Sequence, residues 1–171
     1  MLLSRSEIDD LIGKGFLVSG FIDKKVQLQQ CGVDLTVGKM FSFKGKGVLD
    51  FTNEKRKLPE YVEIKQKNNV WILEKGTYHA AMNEKIRLPN NIAGLLLPRS
   101  SALSCGIEVH TAVWDPGYAG RSFMHLSVSR SVELHKNARI AQMIFFKLAG
   151  EAEYKGAYKG EDILNKFRRG K

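Results

Sequence analysis

Residues 97–118, LPRSSALSCGIEVHTAVWDPGY, decide how this chain is interpreted. An apolar run ends in a Pro-Arg-Ser-Ser turn, whose guanidinium, hydroxyl and amide groups suit an anion. Fourteen residues after Ser101, Asp115 stands in Trp-Asp-Pro-Gly-Tyr, where proline and glycine fix the chain direction. Taken alone, the two parts also fit an ordinary cap and an ordinary Asp-Pro-Gly turn. Together they suggest a base that acts beside a phosphate.

Length and hydropathy predict a single domain. The 171 residues are enough for a real core. No run approaches the roughly 20 apolar residues of a membrane span, and the N-terminus, MLLSRSEIDD, has no secretory apolar segment. We therefore expect one domain over residues 1–171, with 151–171 as a C-terminal arm or tail, in the cytoplasm.

The charge balance points to anionic partners. The chain carries 27 basic and 18 acidic residues, a net charge of +9, which suits nucleic acid or nucleotides. The lysines are scattered, however, and aromatic residues do not interleave with them as a stacking platform requires. Only residues 166–171 form a compact basic cluster, which fits a solvated, frayed tail. Nucleic-acid binding is therefore the weaker reading.

The two cysteines give no sign of a metal site. Cys31 and Cys105 lie far apart, without a Cys-x-x-Cys pair or clustered histidines. A disulfide is disfavoured in a reducing cytosol. We expect both to be small buried residues.

Local patterns predict one short helix followed by a mainly β chain. Ser4 and Glu7 form a capping box, and apolar residues at helical spacing continue to Gly13. The periodicity then changes to two, and polar residues 44–59 fit a loop or loose hairpin. About ten short strands predict a sandwich or barrel of jelly-roll kind. The expected strands are 31–38, 39–43, 61–64, 70–73, 77–82, 92–97, 107–114, 122–128, 131–134 and 139–148.

Four islands carry the chemistry: 32–35, 98–101, 115–118 and 137–142. The familiar nucleotide-binding and hydrolase signatures, such as a P-loop or a Gly-x-Ser-x-Gly elbow, are absent from the sequence. Each island alone also fits an ordinary turn or a half-exposed strand.

In this order the islands resemble the deoxyuridine triphosphatase (dUTPase) and dCTP deaminase superfamily, in its archaeal dUTPase branch. Pro-Arg-Ser-Ser is similar to the phosphate-binding motif of the superfamily, and WDPGYAG to its catalytic-aspartate motif. Arg-Ile-Ala-Gln, from Arg139, resembles the glutamine motif, and YKGAYKG, from Tyr154, looks like the tail of archaeal members.

The resemblance implies a β-clip or distorted jelly-roll barrel with a short N-terminal helix. It also implies a homotrimer with active sites between subunits, and hydrolysis of dUTP to dUMP and pyrophosphate by a water that an aspartate activates. Mg²⁺ is expected to arrive with the triphosphate, without direct protein ligands.

The resemblance also assigns roles to individual residues. Asp115 is the expected base, and the expected phosphate ligands are Arg99, Ser100, Ser101 and Gln142. The sugar and base are assigned to Tyr118, Thr111 and Ala112. Support is assigned to Asp34 and Arg139, and closure over the site to Tyr158 and Lys159.

The deaminase activity of the superfamily requires residues that this chain replaces. By counting, His125 stands where deaminases carry a glutamate, and Ser104 stands where they carry an arginine. These two departures favour the triphosphatase over a dCTP deaminase or a bifunctional deaminase and diphosphatase. A catalytically silent nucleotide-binding relative and a basic nucleic-acid-binding module are the remaining alternatives.

Overall fold

The computed structural model describes residues 1–152 and 154–166, without the side chains of 165 and 166. The elements, in chain order, are α1 (Arg5–Gly13), β1 (Leu17–Ser19), α2 (Lys24–Gln27), β2 (Val33–Lys44), β3 (Glu60–Ile64), β4 (Val70–Leu73), β5 (Gly76–Met82), β6 (Lys85–Arg87), β7 (Ile92–Pro98), α3 (Ser100–Ser104), β8 (Ile107–His110), β9 (Ala119–Gly120), β10 (Phe123–Val128), β11 (Val132–His135), β12 (Arg139–Lys147) and α4 (Ile163–Lys166).

The predicted N-terminal helix is confirmed as α1. The Ser4 amide donates to Oε2 of Glu7 at 2.8 Å, which is the bond that the Glu7 side chain contributes to the capping box, and the Ser4 hydroxyl donates to the same oxygen at 2.7 Å. Ile8 is completely buried in the core. The helix therefore begins where its sequence signal places it and packs through its apolar face.

A nearly closed antiparallel barrel dominates the fold. Its seven-stranded sheet has the order β7-β12-β2-β5-β10-β8, and β3 pairs with β2. An isolated bridge between Gly94 of β7 and Trp114, just beyond β8, brings the two edges together. Two small sheets, β1-β6-β9 and β11-β4, complete the fold. The prediction of a mainly β barrel with a short N-terminal helix is confirmed.

Two strand predictions need correction. The two strands predicted over 31–38 and 39–43 form one continuous strand, β2. Its pairing with β5 does not end at Gly38 but shifts register between Val37 and Lys39. The strand predicted over 107–114 stops at His110 as β8, and Trp114 pairs with β7. The alternation predicted along β10 is confirmed, with Met124, Leu126 and Val128 buried.

The cysteine prediction is wrong in part. Both thiols are free, but Cys105 is exposed and Cys31 is half-buried. Cys105 directly follows the short helix α3, whose only buried residue is Ala102. The surface position of α3 therefore exposes Cys105.

The C-terminal segment packs on the barrel of its own chain. The Tyr154 amide donates to the Pro116 carbonyl at 2.8 Å, and Ile163 is buried beside Phe41 and Ala81. The arm or tail expected over 151–171 stays a prediction, and within its described part Ile163 is the apolar contact with the barrel. Residues 167–171 of the basic cluster lie outside the residues that the structure describes. None of the helices in the described part of the chain is long and apolar enough to cross a membrane.

Candidate active site

A buried carboxylate holds two guanidinium groups at one end of the barrel. Oδ2 of Asp34 lies 3.1 Å from Nε of Arg99 and 3.1 Å from Nη1 of Arg139. Asp34 is 2% exposed, whereas the two arginine side chains are about one third exposed. Backbone carbonyls fix the cations further, because Arg99 donates to the Arg139 carbonyl and Arg139 to the Val26 carbonyl, both at 3.0 Å.

This cluster keeps a net positive charge at the surface. Burial raises the pKa of Asp34, while the guanidinium groups of Arg99 and Arg139 act in the opposite direction. With the carboxylate ionised, two cations face one anion. The exposed edges of the guanidinium groups can therefore receive a second anion, and phosphate oxygens match their fork geometry.

Gln142 joins the cluster through strand register. It lies opposite Asp34 in the pairing of β12 with β2 and is half-buried. Gly32, which precedes β2, leaves the space for its side chain: a methyl group there would overlap the Met143 carbonyl and lie 3.0 Å from Nε2 of Gln142. The glycine of the Gly-Val-Asp island is thus explained by close approach to β12.

The predicted Pro-Arg-Ser-Ser turn continues into a short helix. Arg99 occupies the cap position of α3, and the exposed residues Ser100 and Ser101 form its first two positions. The Arg99 amide donates to the Ile140 carbonyl at 2.9 Å, which ties the start of α3 to β12. The two serines therefore directly follow the residue that joins α3 to the guanidinium cluster.

Asp115 lies at a separate cavity of about 440 Å³. Its carboxylate is exposed, and the turn around it closes through a 3.1 Å hydrogen bond from the Tyr118 amide to the Asp115 carbonyl. Gly117 has a φ of +78°, which explains the glycine of the motif. The other residues that line the cavity are Leu58, Tyr61, Ala112, Val113, Trp114, Tyr118, Ser122, Phe123, Tyr154, Tyr158, Glu161 and Ile163.

Tyr118 forms an aromatic wall of this cavity together with the C-terminal segment. Its ring is 6% exposed and meets the Tyr154 ring edge-on, with centroids 5.7 Å apart. Burial raises the pKa of Tyr118 to about 12, so the phenol stays protonated at neutral pH. Tyr158 lines the same cavity, but Lys159 lies in another cleft, beside Arg87, and Thr111 is half-buried outside both linings.

The candidate residues thus fall into two groups within one chain. Gly94 is bridged to Trp114, the neighbour of Asp115, whereas Arg99 follows the far end of β7. Five residues of extended strand separate Gly94 from Arg99, which corresponds to roughly 16 Å. Arg99, Ser100, Ser101 and Gln142 do not line the cavity of Asp115.

Comparison with known proteins identifies the family. The dCTP deaminase-like family model matches residues 2–148. The chain belongs to this family. The probable deoxyuridine 5'-triphosphate nucleotidohydrolase of Archaeoglobus fulgidus is 41% identical to it over 165 residues, which cover 95% of this chain and 98% of the relative. The deoxyuridine 5'-triphosphate nucleotidohydrolase of Methanocaldococcus jannaschii is 44% identical over 137 residues, 78% of this chain and 88% of the relative.

The fold agrees with that of a solved family member. The 2'-deoxycytidine 5'-triphosphate deaminase from Agrobacterium tumefaciens superposes with a TM-score of 0.65 at 20% identity, over 84% of this chain and 47% of that chain. The family model and the archaeal relatives confirm the resemblance to the dUTPase and dCTP deaminase superfamily and to its archaeal branch.

His125 and Ser104, the two expected departures from the deaminase pattern, have ordinary local partners. The His125 ring packs against the rings of His79 and His110, with centroid distances of 5.2 and 6.1 Å. Ser104 donates from Oγ to the Ser100 carbonyl at 3.0 Å, inside α3. Neither side chain lines the cavity of Asp115.

Sequence reasoning missed Glu84, the most deeply buried carboxylate among the described residues. It is 0% exposed and contacts Thr36 and Gln27. A sequence signal was present, because Glu84 is in phase with the buried residues Met82 and Ile86 in a period-two pattern. A carboxylate at a position where the alternation predicts a buried apolar side chain indicates a buried polar network.

Proposed function

We propose that this protein hydrolyses dUTP to dUMP and pyrophosphate, a reaction that removes dUTP from the nucleotide pool and supplies a precursor of dTTP. The observation that carries the proposal is the guanidinium pair held on Asp34, an exposed anion site. Support comes from relatives, 41% and 44% identical, that are named dUTP nucleotidohydrolases. Such a role places the protein in the cytoplasm.

In the proposed reaction Asp115 accepts a proton from a water that attacks the α-phosphorus. A bond forms between the water oxygen and this phosphorus, and the bond to the bridging oxygen breaks, so that pyrophosphate leaves. Arg99, Ser100, Ser101 and Gln142 bind the phosphate oxygens and follow the charge that moves onto the leaving group. Asp34 and Arg139 hold Arg99 in place.

The cavity of Asp115 is proposed to receive the deoxyribose and the base. Tyr118 presents its buried ring to the sugar and excludes a ribose hydroxyl by contact. Ala112 lines the same cavity, and with Thr111 it belongs to the segment assigned to the base. Tyr158 closes over the cavity from the C-terminal arm, with Lys159 beside it in sequence.

Mg²⁺ is proposed to bind together with the triphosphate. Among the described residues no group of three or more His, Cys, Asp or Glu side chains could hold a metal ion. Mg²⁺ commonly keeps several waters and takes substrate phosphate oxygens as ligands. When bound, Mg²⁺ would neutralise phosphate charge. Oδ2 of Asp34 is already engaged by two guanidinium groups, so the protein contributes cations and neutral donors here.

The assembly is proposed to be a homotrimer with shared active sites. In one chain Arg99 of the anion cluster follows the end of β7, roughly 16 Å of extended strand from Gly94, which is bridged to Trp114, the neighbour of Asp115. A second subunit would bring the cluster of one chain to the cavity of another. The proposal treats residues 1–171 as one domain, with 151–171 as the arm.

The deciding experiment incubates the full-length protein with Mg²⁺ and either dUTP or dCTP, and measures pyrophosphate and ammonia separately. We expect pyrophosphate from dUTP and no ammonia from dCTP. Ammonia from dCTP would contradict the branch assignment. Binding of a non-hydrolysable dUTP analogue without turnover of dUTP would identify a catalytically silent relative instead.

A further inference from the structure

Glu84 is a buried carboxylate surrounded by neutral hydrogen-bond donors. Its Oε1 accepts from Nε2 of Gln27 at 2.7 Å and from Oγ1 of Thr36 at 2.6 Å, and its Oε2 accepts from the Thr36 amide at 3.0 Å. Within residues 1–152 and 154–166 no cation forms an ion pair with it. Burial of a carboxylate costs free energy unless hydrogen bonds compensate for the lost water. The three donors that converge on Glu84 supply these bonds, and they in turn need its oxygens as acceptors.

One branch of the network leads from Glu84 to the guanidinium cluster through α2. Nε2 of Gln27 also donates to the Asp34 carbonyl at 2.9 Å, while its Oε1 accepts from two backbone amides before α2. The neighbouring Val26 carbonyl accepts from Nη1 of Arg139 at 3.0 Å. The orientation of Gln27 thus sets the backbone on both sides of the cluster.

A second branch leads to the turn that delivers Arg139. Oγ1 of Thr36 accepts from Nδ2 of Asn83 at 2.8 Å, and the same Nδ2 donates to Oδ1 of Asn137 at 3.0 Å. Asn137 lies two residues before Arg139 and has a φ of +64°, a left-handed conformation. The turn is therefore held through Thr36 by the same carboxylate.

We propose that Glu84 is a positioning residue for the anion site, which holds Arg99 and Arg139 in the arrangement that receives a polyphosphate. The proposal rests on the proposed function for the identity of the nucleotide, but not for the anion itself. A carboxylate is needed because every surrounding group donates. An amide in its place would turn one N–H toward a donor, and Gln27 cannot rotate to compensate without unpairing two backbone amides.

The experiment measures the affinity for inorganic tripolyphosphate by calorimetry, together with kcat and KM for dUTP and the affinity for deoxyuridine. We expect Glu84→Gln to weaken tripolyphosphate binding about ten-fold, the effect of one or two lost buried hydrogen bonds, and to raise KM by a similar factor. The affinity for deoxyuridine, which lacks phosphate, is expected to stay unchanged. If Glu84 acted only in folding, its substitution would not weaken tripolyphosphate binding selectively over deoxyuridine binding.

A matched pair of variants tests the network without changing the carboxylate. Thr36→Val removes the hydroxyl that joins the two branches and should reproduce the selective loss, whereas Thr36→Ser keeps the hydroxyl and should restore binding. Thr77→Val, at an exposed position on β5, is the control. If Glu84→Gln does not fold, this pair decides the question.

The proposal is overturned if folded Glu84→Gln and Thr36→Val bind tripolyphosphate as the wild-type protein does, even when their melting temperatures fall. It is also overturned if the wild-type protein does not bind tripolyphosphate. A wild-type protein that binds tripolyphosphate but does not hydrolyse dUTP contradicts only the proposed function. In that case the tripolyphosphate affinities of the variants still test the role of Glu84.

Discussion

Asp115 differs from Asp34 in that, among the described residues, no cation forms an ion pair with its carboxylate. Asp34 is buried between two guanidinium groups, whereas the carboxylate of Asp115 is exposed at the rim of a cavity lined by aromatic rings. A carboxylate without a structural partner is free to accept a proton from a bound water. The chemistry of the two aspartates therefore follows from their surroundings.

We predict that Asp115→Asn abolishes turnover while it preserves binding. The amide has nearly the same shape but cannot accept the proton, and loss of a general base lowers kcat by about 10²- to 10⁴-fold. Pyrophosphate release gives kcat, and titration with a non-hydrolysable dUTP analogue gives the affinity. Asp10→Asn, on the exposed surface of α1, is the control. A variant with nearly wild-type kcat would remove Asp115 from the role of base.

Single residues show which parts of the site the sequence could reveal. Motif residues such as Arg99 and Asp115 were found because their neighbours in sequence carry the signal. The partnership of Asp34 with Arg99 and Arg139 was not found, since it joins positions 65 and 105 residues apart. Such a contact depends on the pairing of β2 with β12, which no local pattern specifies.

Strands were easier to predict than their ends and pairings. The alternation along β10 correctly predicts which side chains are buried. Successive side chains of a strand point to opposite faces, so a strand with one buried face has apolar residues at every second position. The short helix α3 was read as a turn, since five residues are too few for a helical period. The strands β1, β6 and β9, two or three residues long, were missed for the same reason.

The outer face of β5 and its neighbours carries a pH-sensitive histidine. The ring of His79 packs among Phe43, Tyr61, Phe123 and His125, and within the described residues its buried Nδ1 has no hydrogen-bond partner. Burial, with a smaller contribution from His125, lowers the pKa of His79 from its ordinary 6.5 to about 4. The folded protein therefore holds this ring neutral at pH values where the unfolded chain protonates it.

We predict that the contribution of His79 to the free energy of unfolding falls as the pH decreases from about 6.5 to about 4. In that window the unfolded state binds a proton that the folded state does not, so acid favours unfolding. His79→Phe keeps the aromatic packing and should make the pH dependence shallower. Denaturant unfolding at a fixed protein concentration across this range measures it. His135→Gln, at an exposed position, is the control, and equal slopes for wild type and His79→Phe would contradict the prediction.

At the scale of the whole molecule the barrel separates the two halves of the site. The topology follows from which strands pair, and the sequence supports the barrel class but not the order β7-β12-β2-β5-β10-β8. Within one chain Arg99 follows the C-terminal end of β7, whereas Asp115 is the neighbour of Trp114, which is bridged to Gly94 within β7. A polyanionic substrate fits the net charge of +9, yet in one chain Arg99 does not line the cavity of Asp115, the proposed base. The proposed sharing of active sites between subunits therefore needs a direct test.

We predict that two inactive variants restore activity when they assemble together. Arg99→Ala lacks the anion ligand and Asp115→Asn lacks the base, but a site formed between unlike subunits can draw Arg99 from one chain and Asp115 from the other. Random assembly of equal amounts into trimers leaves one intact site in each mixed trimer, so about a quarter of the wild-type rate should return. Pyrophosphate release from co-refolded mixtures measures this recovery.

The control for this experiment pairs Asp115→Asn with the double variant Arg99→Ala/Asp115→Asn, a mixture that contains no intact base in any arrangement. It should stay inactive, which excludes contamination and refolding effects as the source of activity. If the first mixture also stays inactive while size measurements show mixed trimers, both residues serve the same chain. The separation along β7 would then have to close by a movement within one subunit.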